Sequence, residues 1–373
     1  YAAENHIQLL KNNLSNEVWE SGCEWVWQQI FPLSMDLTGK HSNQTLQTQK
    51  KWSSINTMDP AYDQYEKARE FYRTHEYLAW IGEDESDEET IRSASEEALD
   101  QSENANSPAN TDSASAKISD QPMIYPMQQL MDYDFLMKHF YNVHTSTTAD
   151  RELMNAKNLL SKDLTLEKED APQILIYHTH SQESYKNSKT DENVVAVGQK
   201  LTDLLTEKGW NVYHDTTVYD LAGGKLDRSR AYTYALEGIN EILARYPSIQ
   251  VVLDIHRDGV GENVYLKTEI GGQPSARIMF FNGLSQTPEG PISYLANPFR
   301  EDNLAFSLKL QLKAEEYYPG FTRKIYLKGL RYNQHLRARS ALVEVGAQTN
   351  TFEEACNAMM PLAELLDMVL QGK

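Results

Sequence analysis

Apolar positions along this chain change rhythm from one stretch to the next. Near the amino terminus Ile7, Leu10, Leu14 and Val18 recur at helical spacing, Trp19, Trp25 and Trp27 add bulk, and Pro32 stops the pattern. Asp59-Pro60 marks a second helix start, with proline at the first helical position, followed by Tyr62, Tyr65, Phe71, Tyr72 and Leu78. Residues 1–82 are therefore expected to form a small helical region. Residues 83–121 are rich in Glu, Asp, Ser, Asn and Ala and nearly devoid of aromatic or branched side chains. Such a segment buries too little apolar surface to offset chain entropy, and its charge extends it. It reads as an acidic disordered linker. Residues 122–170 carry apolar residues at mixed spacing and predict a helical lead-in, with Asp150 as the N-cap of a helix holding Leu153 and Leu159-Leu160.

Residues 171–373 follow a different grammar. Short apolar runs at 174–177, 210–213, 251–255 and 341–345 alternate with helical patterns at 194–207, 231–245 and 303–318. Gly209, Pro247 and Gly320 supply helix stops. This alternation predicts βαβ units: an α/β domain with an open, mainly parallel, twisted sheet and flanking helices. The stretch is shorter than the ~250 residues typical of a closed eight-stranded barrel. Within it, 262–269 and 276–281 flank Ile270-Gly-Gly-Gln-Pro and predict a hairpin.

Composition narrows the partners. A net charge of −19 argues against nucleic-acid phosphate and against adhesion to anionic lipid through a basic patch. Two cysteines, Cys23 and Cys356, are too few for a disulfide framework or a multi-cysteine zinc site. The chain has no run of eighteen apolar residues and no signal peptide. It begins at Tyr1 rather than Met, which reads as a processed or trimmed fragment whose leader or anchor is left out.

The chemistry concentrates where strands end. Ile174-Leu-Ile-Tyr runs straight into His178, His180 and Glu183. Val251-Val-Leu-Asp254-Ile closes on His256-Arg257, and Ser340-Ala-Leu-Val sets Glu344 inside an apolar strand. Parallel strands deliver their carboxyl ends to one sheet edge, where ligands bind in open α/β folds. Two imidazoles and a carboxylate make a recurring catalytic zinc set with a fourth position open, and a further carboxylate can act as general base. Glu344 suits the base, because burying it is costly unless it faces a cleft or a metal. Asp254 suits a group that orients an imidazole, or a satisfied polar residue of the strand. A His-x-His strand end also opens binuclear hydrolases, and a non-catalytic metal-stabilised binding module is the other alternative.

Residues 171–352 resemble the stage II sporulation protein P family of cell-wall hydrolases. The matching text is His178-Thr-His-Ser-Gln-Glu-Ser-Tyr, Asn193-Val-Val-Ala-Val-Gly, Asp254-Ile-His-Arg-Asp, Tyr332-Asn-Gln and Leu342-Val-Glu-Val-Gly. More distantly the chain is similar to zinc-dependent N-acetylmuramoyl-L-alanine amidases. That resemblance implies one Zn2+ on His180, His256 and Glu183, with Glu192 as the alternative third ligand, and Glu344 as catalytic base. His178 and Asp254 then stand behind the ligands. Arg257 and Arg228 suit substrate carboxylates or plain surface salt bridges, and Tyr185, Tyr332 and Asn333 suit the lining of the groove or simple packing. The implied reaction is hydrolysis of the N-acetylmuramic acid–L-alanine amide of peptidoglycan, with the peptide cross-link as a further target. It also implies an extracytoplasmic, membrane-anchored protein between mother-cell and forespore membranes, acting with a lytic transglycosylase and a membrane protein of the engulfment machinery.

Overall fold

The computed structural model describes residues 122–222 and 225–373. The helical region expected at 1–82 and the linker expected at 83–121 lie outside the described residues. In chain order the elements are α1 (Met127–Leu130), α2 (Tyr133–Phe140), β1 (Tyr141–Val143), α3 (Ala156–Ser161), β2 (Ile174–Tyr177), α4 (Val194–Glu207) and β3 (Val212–His214). The short strands β4 (Leu221–Ala222) and β5 (Lys225–Leu226) lead into α5 (Arg228–Arg245) and β6 (Val251–Asp258). Then follow β7 (Lys267–Ile270), β8 (Gln273–Ala276), β9 (Ile278–Gly283), β10 (Gln286–Thr287), β11 (Gly290–Pro291), α6 (Arg300–Tyr317), β12 (Ile325–Lys328), β13 (Arg339–Ala347), α7 (Phe352–Asn357) and α8 (Met359–Leu370).

The main sheet has seven strands in the order β1-β12-β9-β13-β6-β2-β3. Every neighbouring pair is parallel except β9 with β13. The predicted open, mainly parallel α/β sheet is what forms, with one reversal. Strands β13, β6, β2 and β3 therefore point their carboxyl ends to one edge, and β9, β12 and β1 to the other.

Strand β2 shows why the sequence folds this way. Ile-Leu-Ile-Tyr is buried at all four positions, as a central parallel strand covered on both faces requires. Side chains alternate. Ile174 and Ile176 join the core under α4, α6 and α8, while Leu175 and Tyr177 join Ala235, Ile239 and Leu243 of α5. Helix α4 is capped by Asn193, whose Oδ1 accepts from the Val195 and Ala196 N–H groups. It buries Val194, Val197, Leu201 and Leu205. Each such side chain contributes about 1.5–3 kcal/mol, well above the few tenths that helix propensity supplies per residue.

Four local expectations shift. Asp150 does not cap a helix; its Oδ1 accepts from the Glu152 and Leu153 N–H groups in a turn, and Asn155 caps α3 instead. The hairpin is tighter than predicted. β7 and β8 pair through Gly271-Gly272, both at positive φ, and β9 pairs with β13 and β12 in the main sheet. Three polar or half-exposed residues hid β1, which makes the lead-in part of the sheet as well as helical. Strand β12 is the other short sequence the apolar runs did not mark.

Candidate metal centre and its surroundings

Alternation along β2 carries on to His178 and Thr179, and the turn that begins at Thr179 then parts the two histidines. His178 turns to the α4 face, where its Nδ1 lies 3.0 Å from the Ile255 carbonyl and its Nε2 lies 2.9 Å from His214 Nε2. A Cβ at Gly198 would stand 2.5 Å from His178 Cε1, so the glycine of Asn193-Val-Val-Ala-Val-Gly makes room for this ring. Burial and the neighbouring His214 lower the His178 pKa to about 4, keeping it neutral.

Thr179 turns to the α5 face. Its N–H donates to Asp254 Oδ1 at 2.9 Å and its hydroxyl donates to Asp254 Oδ2. Asp254 Oδ1 also lies 2.8 Å from His256 Nε2, near enough for an ion pair though off the axis of a good hydrogen bond. The His-Thr-His and Asp-Ile-His motifs are thus joined through one buried carboxylate.

His180, Glu183 and His256 come together. One donor atom from each lies within 4.8 Å of the others. Glu183 sits between the imidazoles, with Oε1 3.6 Å from His180 Nδ1 and Oε2 3.6 Å from His256 Nδ1. Tetrahedral zinc with bonds of about 2.0–2.2 Å sets its donors roughly 3.4 Å apart, so the set fits such an ion. Among the described residues this is the single cluster of its kind. His180 Nε2 is buried without a hydrogen-bond partner. Burial pushes the Glu183 carboxyl up, but the His180 hydrogen bond and the His256, His180 and Arg257 charges outweigh it and hold the pKa at about 2. Burial pulls His256 down, and Asp254 with Glu183 and Glu344 lifts it to about 9.

Glu344 is the β13 partner of His256 in the parallel register, so both lie on the same face of the sheet. Its Oε2 is buried and unpartnered. Burial, then the Asp258 charge, raises its pKa to about 8 in the metal-free chain, against the pull of His256 and Arg323. Immediately after it the register with β6 shifts, and Gly346 takes the irregularity at φ 61° with Asn350 Oδ1 pressed where a Cβ would go.

The remaining expected residues divide. Tyr185 is buried, its hydroxyl donating to the Val345 carbonyl, away from any groove. Asn333 Nδ2 donates to the Tyr232 carbonyl and Tyr332 packs edge-on against the Tyr232 ring, so this pair supports a wall from behind. Arg257 Nε donates to the Ser184 carbonyl and its Nη1 to the Asp258 carbonyl, while its N–H donates to Glu183 Oε2. Glu192 pairs with Lys189 at 2.8 Å and is absent from the cluster.

Sequence reasoning missed four contributors. Tyr232 lies over both imidazoles, its ring centroid 5.5 Å from His180 and 6.3 Å from His256. Asp220 accepts from Ser181 Oγ at 2.7 Å and from Gln182 N–H at 3.0 Å, fixing the segment between the ligands. Thr179 and His214 hold Asp254 and His178. Of these only Thr179 carried a sequence signal, its place between two histidines.

The Stage II sporulation protein P family profile matches residues 42–367. Stage II sporulation protein P of Bacillus subtilis (strain 168) is 28% identical over 214 residues, covering 52% of this chain and 50% of that protein, so the chain spans about half the length of this curated relative. Among solved structures, the CwlD amidase from Clostridioides difficile in complex with the GerS lipoprotein aligns over 52% of this chain and 99% of its own at 16% identity and a TM-score of 0.34. The apo N-acetylmuramyl-L-alanine amidase Ami1 from Mycobacterium abscessus aligns over 54% and 97% at 15% identity and a TM-score of 0.28. With its profile matched along most of the sequence, this chain belongs to the Stage II sporulation protein P family.

Proposed function

We propose that this chain is a metal-dependent peptidoglycan hydrolase that cleaves the N-acetylmuramic acid–L-alanine amide during sporulation. The observation that carries the reading is the convergence of His180, Glu183 and His256 at one sheet edge, with Glu344 paired beside His256. These three residues would hold one zinc ion. Bound there, zinc supplies Lewis acidity toward a carbonyl and acidifies water.

The chain's own residues do the rest. Asp254 fixes the His256 ring from behind, as carboxylates do for ligand imidazoles. Glu344 takes a proton from the attacking water and hands it to the leaving amine of L-alanine. Glu344 would be held ionised by a cation bound to Glu183 and His256. Tyr232 walls the site and excludes solvent from one side. Peptidoglycan lies outside the cytoplasm, so the intact protein works there, anchored to a membrane, alongside a lytic transglycosylase and a membrane partner; family membership supports this setting.

The test is digestion of purified peptidoglycan by the zinc-loaded chain. Stem peptides with free L-alanine amino termini are expected in the products. Glu344→Gln is expected to bind peptidoglycan and to lose cutting by at least ~10²-fold. Cutting by Glu344→Gln at the parent rate would remove Glu344 from its role. Absence of any released peptide from the parent chain would remove the amidase reading.

A further inference from the structure

Arg228 is the first residue of α5, and the start of that helix is tied to the ligand-bearing segment. The N-cap Asp227 donates its N–H to the Asp220 carbonyl at 2.8 Å, and the Asp220 carboxylate holds Ser181 and Gln182. Arg228 Nη1 lies 3.8 Å from Glu183 Oε1, an ion-pair distance beyond hydrogen-bond length, and its side chain is 42% exposed. Four residues later on the same helix face, Tyr232 covers both imidazoles. Arg228 and Tyr232 therefore form one wall, with the guanidinium at its outer end. The other nearby arginine, Arg257, is engaged with two main-chain carbonyls.

Charge gives this placement its meaning. Glu183, Asp254, Asp258 and Glu344 gather where β6, β13 and the segment after β2 meet. Asp254 is paired with His256 and Asp258 with Arg323, which leaves Glu183 and Glu344 to repel an anionic substrate unless a cation stands nearby. In the metal-free chain Arg228 counters Glu183. An ion held by Glu183 would take over that counter-charge and leave the guanidinium to an incoming ligand.

We infer that Arg228 determines specificity at this site by binding a carboxylate of the substrate in a bidentate pair. This rests on the hydrolase reading above. The lactyl carboxyl of muramic acid is consumed in the scissile amide, so the recognised carboxylate belongs to the peptide side.

Calorimetric titration of the zinc-loaded chain carrying Glu344→Gln separates binding from chemistry. The probes are two N-acetylmuramoyl dipeptides, one ending in a free dicarboxylic acid and the other in its diamide. The acid is expected to bind at least ~10-fold tighter, with Arg228→Ala abolishing the difference and Arg228→Lys keeping part of it. In otherwise unaltered protein, Arg228→Ala is expected to raise KM for the acid and to remove the preference of cutting for acid over diamide. Equal affinities for acid and diamide, or a difference that survives Arg228→Ala, overturns the assignment even if both probes are cut. Failure of the parent to cut either probe overturns the hydrolase reading instead.

Discussion

His256 and Glu344 show how much the pairing of individual side chains decides. Both have folded pKa values above their ordinary ones in the metal-free chain, at about 9 and about 8. A group raised in this way contributes stability below its unfolded pKa and loses it as pH climbs through the folded value. The stabilisation from Glu344 is complete below about 4.5 and gone above about 8, and that from His256 is complete below 6.5 and gone above about 9. Glu183, held at about 2, acts at the other end, losing its contribution as pH falls through that value. The metal-free protein should therefore unfold at steadily lower urea as pH rises from 7 to 9, above the range in which the neutral buried His178 gains stability, and Glu344→Gln should flatten the part of that slope below pH 8. A urea midpoint that is level or rises over this range in chelator would contradict the assignment.

At the scale of elements, a strand end, a helix and a glycine act together. β2 stops at Tyr177, and the period-two alternation beyond it sends His178 toward α4 and Thr179 toward α5. Helix α4 accepts the imidazole because Gly198 offers no Cβ. In an ordinary helix interior Gly→Ala gains about 0.5–1 kcal/mol from backbone entropy. Here the added methyl falls 2.5 Å from a buried ring, and overpacking of that kind costs about 1–3 kcal/mol. Gly198→Ala should be net destabilising by ~1–2 kcal/mol in thermal or urea unfolding. Combining it with His178→Ala should recover much of that loss. Additive losses in the double variant would mean the ring and the glycine do not meet.

At the scale of the molecule, the lead-in and the later α/β stretch share one sheet, since β1 pairs with β12. We propose that residues 122–373 fold as a unit around it. An ion bound to His180, Glu183 and His256 couples the segment after β2 to β6, two stretches that are distant in sequence. Zinc at a hundredfold excess over its Kd should stabilise the fold by about 2.7 kcal/mol, and chelator should reverse the shift in Tm. Replacing His180 with Ala should abolish the zinc-dependent shift, whatever it does to the metal-free Tm. A zinc-dependent Tm that survives that substitution would place the ion elsewhere.

Much of this was legible along the chain. The apolar runs marked β2, β6 and β13, and the parallel grammar brought their carboxyl ends to one edge, which made His180, His256 and Glu344 a group before any coordinates. Helix α4 was legible because its burial follows a 3.6-residue period. What the linear pattern did not hold was pairing. It left His178 and His180 as equals until the family resemblance singled out His180, and in the fold the turn after β2 sends one to α4 and the other to the cluster. It gave Arg257 and Arg228 the same standing, until the fold engaged one with main-chain carbonyls and left the other beside Glu183. It gave no sign of Tyr232, or of the antiparallel join of β9 to β13. The physical reason is that hydrophobic periodicity is a local property and fixes which residues are buried. Which buried groups meet depends on strand order and register, which arise only when distant segments pack.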